Sequence, residues 1–327
     1  MSKILSFLLI LIIVSSCKKT DREYTYDDID FKEEMRNFVV GISQYAKNIK
    51  PDFIVVPQNG VKIISQNGET TGQIHQAYMQ AIDGQGQEGL FYGYEQDDVP
   101  TPNSITNQLK LFLDTIKNSG KTVLVTDYCY SPNHIRSSYE KNDMSGYIGF
   151  AATQRELDLI PAGIPVHHVN NNDIVELNEV QNFLYLLNPH NFPDKNSLIT
   201  ALQSTNYDLI IMDMFFEDGT AFSPQQIESL KQKANGGQRL VISYISIGEA
   251  ETYRYYWKPE WNTEKPIWLD EPNPDWTGNY KVRYWEKDWQ NIIYGNNQSY
   301  IKKIIDAGFD GAYLDIIDAF EFFEDRY

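Results

Sequence analysis

Apolar side chains recur at spacings of three and four residues along several stretches of the chain, and a short apolar run follows each stretch. Residues 31–49 show this spacing, and residues 53–56 are the run that follows. The spacing predicts an amphipathic helix, and a short run that is apolar throughout predicts a strand buried on both faces. The same helix-then-strand unit returns over residues 104–127, 197–212, 223–245 and 299–315.

Strands of this kind, each preceded by a helix, predict a parallel sheet covered by helices. Weaker strand candidates are residues 183–187, residues 281–284 and a glycine-rich stretch over 78–91, while residues 147–151 would form an extra strand. About eight strands in all would suit a closed (β/α)8 TIM barrel. A doubly wound open sheet is the alternative, although no Walker-type phosphate loop follows any strand.

The N-terminal residues have the pattern of an export signal. Lys3 precedes an apolar run over residues 4–14, which is shorter than the roughly 20 residues that cross a bilayer as a helix. The run leads into Val14-Ser15-Ser16-Cys17, which resembles the lipobox of bacterial lipoproteins. We therefore expect a signal peptide over residues 1–17, lipidation of Cys17, and a flexible tether over residues 18–30. The lipid would anchor an exported, outer-membrane protein facing the periplasm or the cell surface; an ordinary secretory signal with a chance cysteine is the alternative.

Composition narrows the function classes for the remaining domain, residues 31–327. The chain is 22 % charged and 42 % hydrophobic with a formal net charge of −17, which argues against disorder and against a nucleic-acid partner. Two cysteines exclude a disulfide scaffold, and Cys129 is expected to be a small packed residue rather than a nucleophile. The five histidines are scattered, so we expect no metal and no cofactor. We also expect a monomer.

Polar residues follow the predicted strands at the end where barrel enzymes carry their catalytic groups. These residues are Asn59, Asp127, Asp213, Ser246, Glu249, Asp315 and Asp318. Any one of them could simply cap the next helix, but five different strand ends carry such groups. A rim rich in carboxylates and poor in histidine and cysteine favours acid/base chemistry on a polyhydroxylated substrate.

The tryptophans indicate a carbohydrate partner as well. All six lie between residues 257 and 289, in a segment that is also rich in tyrosine. Aromatic faces pack on sugar rings while their polar edges bind hydroxyl groups, so we expect Trp257 and Trp285 to contact substrate. A loop stabilised by its own aromatic residues is the alternative.

Three segments resemble one enzyme family. They are residues 244–257 (Tyr-Ile-Ser-Ile-Gly-Glu-Ala-Glu-Thr-Tyr-Arg-Tyr-Tyr-Trp), residues 308–319 (Gly-Phe-Asp-Gly-Ala-Tyr-Leu-Asp-Ile-Ile-Asp-Ala) and residues 57–60 (Pro-Gln-Asn-Gly). They are similar to the endo-α-1,4-polygalactosaminidase-type barrels, glycoside hydrolase family 114 and its close relatives, and the resemblance covers nearly all of residues 31–327. It implies a (β/α)8 fold and cleavage of a galactosamine-containing polysaccharide. The segment with residues 57–60 comes first here and later in the family, so the chain looks circularly permuted.

The resemblance also implies a catalytic pair. Asp315 matches the family's aspartate at the end of the Gly-Phe-Asp-Gly strand, and Glu88 lies five residues after Asp83, the spacing of the family's glutamate; Glu249 is the alternative. We expect Asp315 to be the ionised nucleophile or base and Glu88 the acid, with retention of configuration. The expected substrate-binding residues are Asp213, Asn59, Tyr244, Glu249, Arg254, Trp257, Trp285, Asp127 and Asp318.

Two other functions remain open at this point. A surface lipoprotein that binds glycan without cleaving it would keep the aromatic residues and need no carboxylate pair. A metal-dependent deacetylase would need clustered histidines, and the adjacent His167 and His168 are not expected to aim both rings at one ion. The acidic charge would suit a cationic amino-sugar polymer, although general solubility also explains it.

Overall fold

The computed structural model describes residue 26 and residues 29–327. The predicted signal peptide, Cys17 and most of the predicted tether lie outside the described residues. The helices of the described chain are α1 (Phe31–Ile49), α2 (Gln76–Ala81), α3 (Asn103–Asn118), α4 (Pro132–Ser145), α5 (Lys195–Gln203), α6 (Pro224–Leu230), α7 (Lys287–Ile293), α8 (Tyr300–Asp306) and α9 (Ala319–Arg326). The strands are β1 (Ile54–Pro57), β2 (Gly84–Glu88), β3 (Thr122–Tyr128), β4 (Ile148–Ala152), β5 (Phe183–Leu186), β6 (Leu209–Asp213), β7 (Leu240–Ser246), β8 (Glu249–Glu251), β9 (Leu269–Pro272), β10 (Asn279–Val282) and β11 (Gly311–Asp315).

Two parallel sheets form the centre of the fold, which confirms the predicted α/β class. One sheet has the strand order β1-β11-β7-β6-β5 and the other the order β2-β3-β4, and every pairing within them is parallel. Nearly all residues of these strands are buried, because helices cover the sheets.

The two parallel sheets are in contact at both of their edges. Gln58, just after β1, forms a parallel bridge with Gly86 of β2, and the Asn59 amide donates to the Gly86 carbonyl at 2.9 Å. At the other edge, the ring of Phe150 in β4 lies 5.5 Å from the ring of Phe183 in β5. The carboxyl ends of eight parallel strands therefore lie on one side of the molecule.

Two predicted strands have roles in the structure that differ from those expected. Residues 147–151, expected as an extra strand, supply β4 of the parallel sheet, where Phe150, Ala151 and Ala152 are buried. Residues 281–284 overlap β10, which pairs antiparallel with β8 and β9 in a small separate sheet. Strand β4 is buried although it contains small residues that give a weak hydrophobic pattern, whereas most residues of β10 are half-exposed.

Side-chain caps define the starts of two helices. Asp30 caps α1 by accepting from the Glu33 amide at 2.9 Å, and Ser223 forms a capping box with Gln226 at the start of α6. Helix α6 ends at Leu230, and Lys233, three residues later, turns inward to a buried ion pair with Asp208 (2.9 Å).

Strand β2 begins a glycine-rich stretch of six residues. Residues 84–89 read Gly-Gln-Gly-Gln-Glu-Gly, which is the spacing of a dinucleotide-binding fingerprint. That fingerprint works as the turn between a strand and a helix, but here Gly84 and Gly86 lie inside β2 itself. A methyl group on Gly86 would lie 2.0 Å from the Tyr313 hydroxyl, so this glycine makes room for a buried ring.

Three further observations concern the ends of the described chain, its helices and its cysteine. Tyr26 stacks on Tyr327 with ring centroids 4.1 Å apart. None of the described helices is both long and apolar enough to traverse a lipid bilayer. Cys129 is buried, and burial raises the pKa of its thiol, as expected of a packed residue.

Candidate active site

A cavity of about 570 Å³ opens at the carboxyl ends of the parallel strands. Its volume is in the range of small-molecule sites. Eight of the predicted site residues line it: Glu88, Asn59, Asp213, Tyr244, Glu249, Arg254, Asp315 and Asp318. The strand order brings together residues that are more than two hundred positions apart in the chain.

Asp315 is the last residue of β11 and is held by three hydrogen bonds. The Tyr244 hydroxyl donates to its Oδ2 at 2.7 Å, and the Gln58 side-chain amide donates to its Oδ1 at 3.1 Å. The backbone amide of Ile316 donates to Oδ1 at 2.8 Å. The carboxyl group is therefore fixed in orientation at the floor of the cavity.

The backbone immediately after Asp315 is strained. Ile316 has a φ of 60°, which is a genuine outlier for a β-branched residue and costs on the order of 1–3 kcal/mol. Gly248 allows this conformation, since a methyl group there would lie 2.2 Å from the Ile316 carbonyl oxygen. Strain of this kind persists only where the surroundings enforce it, and here it places the Ile316 amide on the Asp315 carboxyl.

Glu88 ends β2 on the other parallel sheet and faces the same cavity. The Asn59 side-chain amide donates to its Oε2 at 3.0 Å, and the Tyr128 hydroxyl donates to its Oε1. Asn59 has a φ of 58°, and its Oδ1 accepts from the Glu88 backbone amide at 3.0 Å. Asn59 therefore orients both the backbone and the carboxyl group of Glu88.

The carboxyl groups of the cavity influence one another's ionisation. Burial and the charge of Glu88 raise the pKa of Asp315 to about 8, against the opposing hydrogen bond from Tyr244. Burial, with Glu321 and Glu88, raises the pKa of Asp318 to about 6. Asp315 is therefore protonated near neutral pH, and the neighbouring charge of Glu88 contributes to this.

An arginine links two other carboxylates at the cavity wall. Arg254 lies 2.7 Å from Asp213 and 2.5 Å from Glu251, and all three side chains are nearly buried. Burial raises the pKa of Asp213, although the charge of Arg254 opposes this. The sequence argument had missed Glu251, which lies two residues after Glu249 in the same motif.

Glu249 has its charge already compensated. Lys281 lies 2.6 Å from its Oε1, and the amides of Asn273 and Asn279 donate to its two oxygens at 2.8 and 3.1 Å. A catalytic acid or nucleophile needs a carboxyl group that can reach substrate, so Glu88 fits that role better than Glu249.

The expectation that Asp127 binds substrate is corrected by the structure. Asp127 is fully buried, accepts from the Phe91 amide at 2.8 Å, and accepts from the Ser138 hydroxyl of α4 at 2.6 Å. Successive side chains of a strand point to opposite faces, so Asp127 faces α4 while its neighbour Tyr128 faces the cavity.

The expectation for Trp257 and Trp285 is also corrected, since neither lines the cavity. Trp285 packs against Phe323 of α9, with ring centroids 4.7 Å apart, and Trp257 packs against Trp261 at 5.5 Å. Much of the tryptophan-rich segment thus stabilises itself, as the alternative interpretation held. Trp276, half-exposed, is the tryptophan that lines the cavity.

His167 and His168 lie outside the cavity residues, but their rings do converge. Both Nε2 atoms lie against the carboxyl group of Asp143, at 3.0 and 3.1 Å. The expectation that adjacent rings cannot aim at one point is therefore wrong. The reason is that His168 has a φ of 49°, which turns its side chain back toward that of His167.

The sequence argument missed several cavity residues besides Glu251. They include Gln58, Tyr128, Tyr185, His190, Glu217, Tyr253 and Trp276. Gln58 could have been found from its place beside Asn59 at the end of β1. Tyr128 could have been found from strand alternation, whereas Trp276 lies in an irregular loop for which no pattern gives a direction.

Parallel α/β architecture with a carboxylate-lined cavity at the strand ends is typical of carbohydrate-active enzymes. Residues 170–326 match the model of glycoside-hydrolase family GH114. The matched residues include Asp213, Tyr244, Arg254 and Asp315, while Glu88 lies outside them.

Curated relatives are similar over part of the chain. An uncharacterized protein of Methanocaldococcus jannaschii is 42 % identical over 135 residues, which are 40 % of this chain and 36 % of the relative. An uncharacterized protein of Thermotoga maritima is 37 % identical over 141 residues, which are 43 % of this chain and 40 % of the relative. The chain thus spans less than half the length of the curated relatives it matches.

One solved structure also aligns with part of the chain. It is the crystal structure of Aspergillus fumigatus Ega3 in complex with galactosamine, at 19 % identity and a TM-score of 0.28, covering 50 % of each chain.

Proposed function

We propose that this protein is an endo-acting glycoside hydrolase that cleaves a galactosamine-containing polysaccharide with two carboxyl groups. The observation that carries the proposal is the convergence of Asp315 and Glu88, which end two strands of different sheets and face one cavity. The raised pKa of Asp315, to which the charge of Glu88 contributes, supports its role as the acid of the pair.

We further propose that residues 31–327 form one closed (β/α)8 barrel with a circularly permuted order of segments. The hydrogen bond between Asn59 and Gly86 and the contact of Phe150 with Phe183 support closure, because they join both pairs of sheet edges. The family match over residues 170–326 is consistent with the permuted order, since it begins well inside the chain.

In the proposed mechanism, Asp315 is protonated at neutral pH and donates its proton to the glycosidic oxygen as the glycosidic bond breaks. Ionised Glu88 attacks the anomeric carbon and forms a glycosyl-enzyme, which water then hydrolyses with Asp315 as the base. The raised pKa of Asp315 favours this order of roles over the reverse order expected from the sequence. Retention of configuration follows if Glu88 is the nucleophile.

The charge and the aromatic residues of the cavity favour a cationic sugar polymer. Seven carboxylate side chains and two arginines line the cavity, so its potential attracts amines. Trp276, Tyr253 and Tyr255 are exposed at the same cavity and present flat faces on which sugar rings can pack. Free amino groups of a partly deacetylated polymer would meet carboxylates at this wall.

The test is release of reducing ends from galactosaminogalactan and from related amino-sugar polymers. Asp315→Asn should abolish release while the far-ultraviolet circular dichroism stays unchanged, and Asp306→Asn, an exposed carboxylate on α8, is the matched control. Azide added to Glu88→Ala should yield a glycosyl azide if Glu88 is the nucleophile. Full activity of Asp315→Asn would refute the proposal, and polymer binding without cleavage by the wild type would favour a non-catalytic glycan-binding protein.

We also propose that the protein is an exported monomeric lipoprotein anchored in the outer membrane through Cys17. The lipobox-like sequence Val14-Ser15-Ser16-Cys17 supports this, and it lies outside the described residues. Metabolic labelling with a fatty acid in a bacterial host should mark the wild-type chain and leave Cys17→Ser unmarked; equal labelling of both chains would refute lipidation at this residue.

A further inference from the structure

Three side chains with metal-binding atoms meet on the surface away from the cavity. Asp143 lies in α4, and His167 and His168 lie in the long segment between β4 and β5. One ligand atom from each residue, an imidazole nitrogen or a carboxylate oxygen, lies within 4.8 Å of the others. Each side chain is partly exposed, so an ion can reach the group from solvent.

The backbone at this cluster is held in a conformation that histidine rarely adopts. His168 has a φ of 49°, in the left-handed region that favours glycine, asparagine and aspartate. Its carbonyl oxygen accepts hydrogen bonds from the side-chain amides of Asn170 at 3.2 Å and Asn182 at 3.1 Å. These two amides hold the turn that brings the His168 ring beside the His167 ring.

The same two asparagines connect the turn to a fully buried ion pair. Asn170 donates to Asp208 at 2.8 Å, and the Asp208 carboxylate lies 2.9 Å from the Lys233 ammonium. Asp208 precedes β6 and Asn182 precedes β5, so this network lies at the amino ends of the strands, opposite the cavity. The position of the His168 backbone is therefore set by side chains that are anchored on a buried ion pair.

A tyrosine ring of α4 also holds the His167 ring in place. The ring of Tyr139, which is also in α4, stacks on His167 with centroids 4.4 Å apart. Asp143 and Tyr139 are four residues apart and so lie on one face of the helix. One helix face thus supplies both the carboxylate and the ring that supports His167.

We propose that Asp143, His167 and His168 form a binding site for a divalent transition-metal ion, with Zn²⁺ as the best fit. Two imidazole nitrogens and one carboxylate oxygen are a donor set that zinc takes, with water in a fourth position. Binding needs an Nε2 without a hydrogen on each ring, so the metal replaces the present hydrogen bonds to Asp143. The bound ion would tie the β4–β5 segment to α4 and would stabilise the fold without taking part in the hydrolysis.

The experiment uses the full chain without a histidine tag, stripped with a chelator and titrated with ZnCl₂ in a calorimeter. His168→Asn removes the imidazole yet suits the left-handed backbone, and His167→Gln removes the other ring. His134→Asn is the matched control, because His134 also lies in α4 and contacts an aspartate, Asp98, at 3.1 Å.

We expect about one zinc ion per chain in the wild type and in His134→Asn, and roughly tenfold or greater loss of affinity in the other two variants. Zinc should raise the melting temperature of the wild type and leave that of His168→Asn unchanged. Zinc-edge anomalous diffraction should place the ion between the three side chains. Equal zinc binding by His168→Asn and the wild type, or no stoichiometric binding by the wild type, would overturn the proposal. Polysaccharide cleavage is measured separately, so its outcome leaves this test unaffected.

Discussion

Replacing Asp315 by asparagine should make the protein more stable at alkaline pH while removing its activity. Asparagine has nearly the shape of the neutral carboxyl group but cannot ionise. In the wild type, burial and the charge of Glu88 raise the pKa of Asp315 from 3.8 to about 8 in the folded state. The folded protein therefore opposes an ionisation that the unfolded chain undergoes freely.

The size of the effect follows from this difference. Between pH 3.8 and about pH 8 the folded state binds a proton that the unfolded state has lost. The free energy of unfolding then falls by up to about 1.4 kcal/mol per pH unit as the pH rises, and the loss ends once the folded protein is ionised as well. From pH 5 to pH 8 the wild type should lose at most about 4 kcal/mol that Asp315→Asn retains.

The assay is equilibrium unfolding in urea, monitored by tryptophan fluorescence, at pH 5, 6, 7 and 8. Asp306→Asn serves as the control, because Asp306 is an exposed partner of Lys302. Glu88→Gln should flatten the same dependence in part, since it removes the neighbouring charge. Parallel stability curves for the wild type and Asp315→Asn over this range would show that the pKa of Asp315 is not raised in the folded protein.

Other substitutions test neighbouring parts of the argument. Tyr244→Phe removes a hydrogen bond that lowers the pKa of Asp315, so the alkaline limb of the cleavage rate should move to higher pH; a limb at unchanged pH would contradict the proposed role of Asp315 as the acid. Lys233→Met leaves the buried charge of Asp208 unpaired and should cost about 3–5 kcal/mol in urea unfolding, and a cost below 1 kcal/mol would contradict the burial of that pair. Gly86→Ala places a methyl group 2.0 Å from a buried tyrosine hydroxyl and should cost roughly 1–3 kcal/mol, visible as a lower melting temperature; an unchanged melting temperature would mean that the ring can move aside.

The sequence predicted the elements whose pattern is strong and local. The spacing over residues 31–49 gave α1 with its structural bounds. Strand β4 was underrated because glycine and alanine carry little hydrophobic signal, although four of its five residues are buried. Residues 281–284 were wrongly expected to contribute a strand to the parallel barrel, because the sequence does not show which strand pairs with them.

For the site, eight of the residues predicted from the motifs and the strand ends line the cavity, but their partners were not predicted. Asp315 and Glu88 were expected from the family resemblance, and both line the cavity. The prediction placed Asp127 on the cavity face of β3. The next residue, Tyr128, occupies that face instead, and its hydroxyl group contacts Glu88. A contact such as this depends on register between strands, which a single sequence does not encode in any local pattern.

The aromatic segment shows a different limit. Its tryptophans can pack on sugars or on one another, and composition is the same in both cases. The structure separates them by surroundings: Trp285 lies among rings of helices α1 and α9, while Trp276 lies at the cavity.

The stacking of Tyr26 on Tyr327 has a consequence for how such a gene can change. Because these two positions lie side by side, a short peptide could join them while new termini open in an exposed turn such as the one at Gly163, around which there is open space. Every pairing between strands would survive that rearrangement. Selection on the folded molecule would then preserve which strands are neighbours, while the order in which the ribosome synthesises them could change.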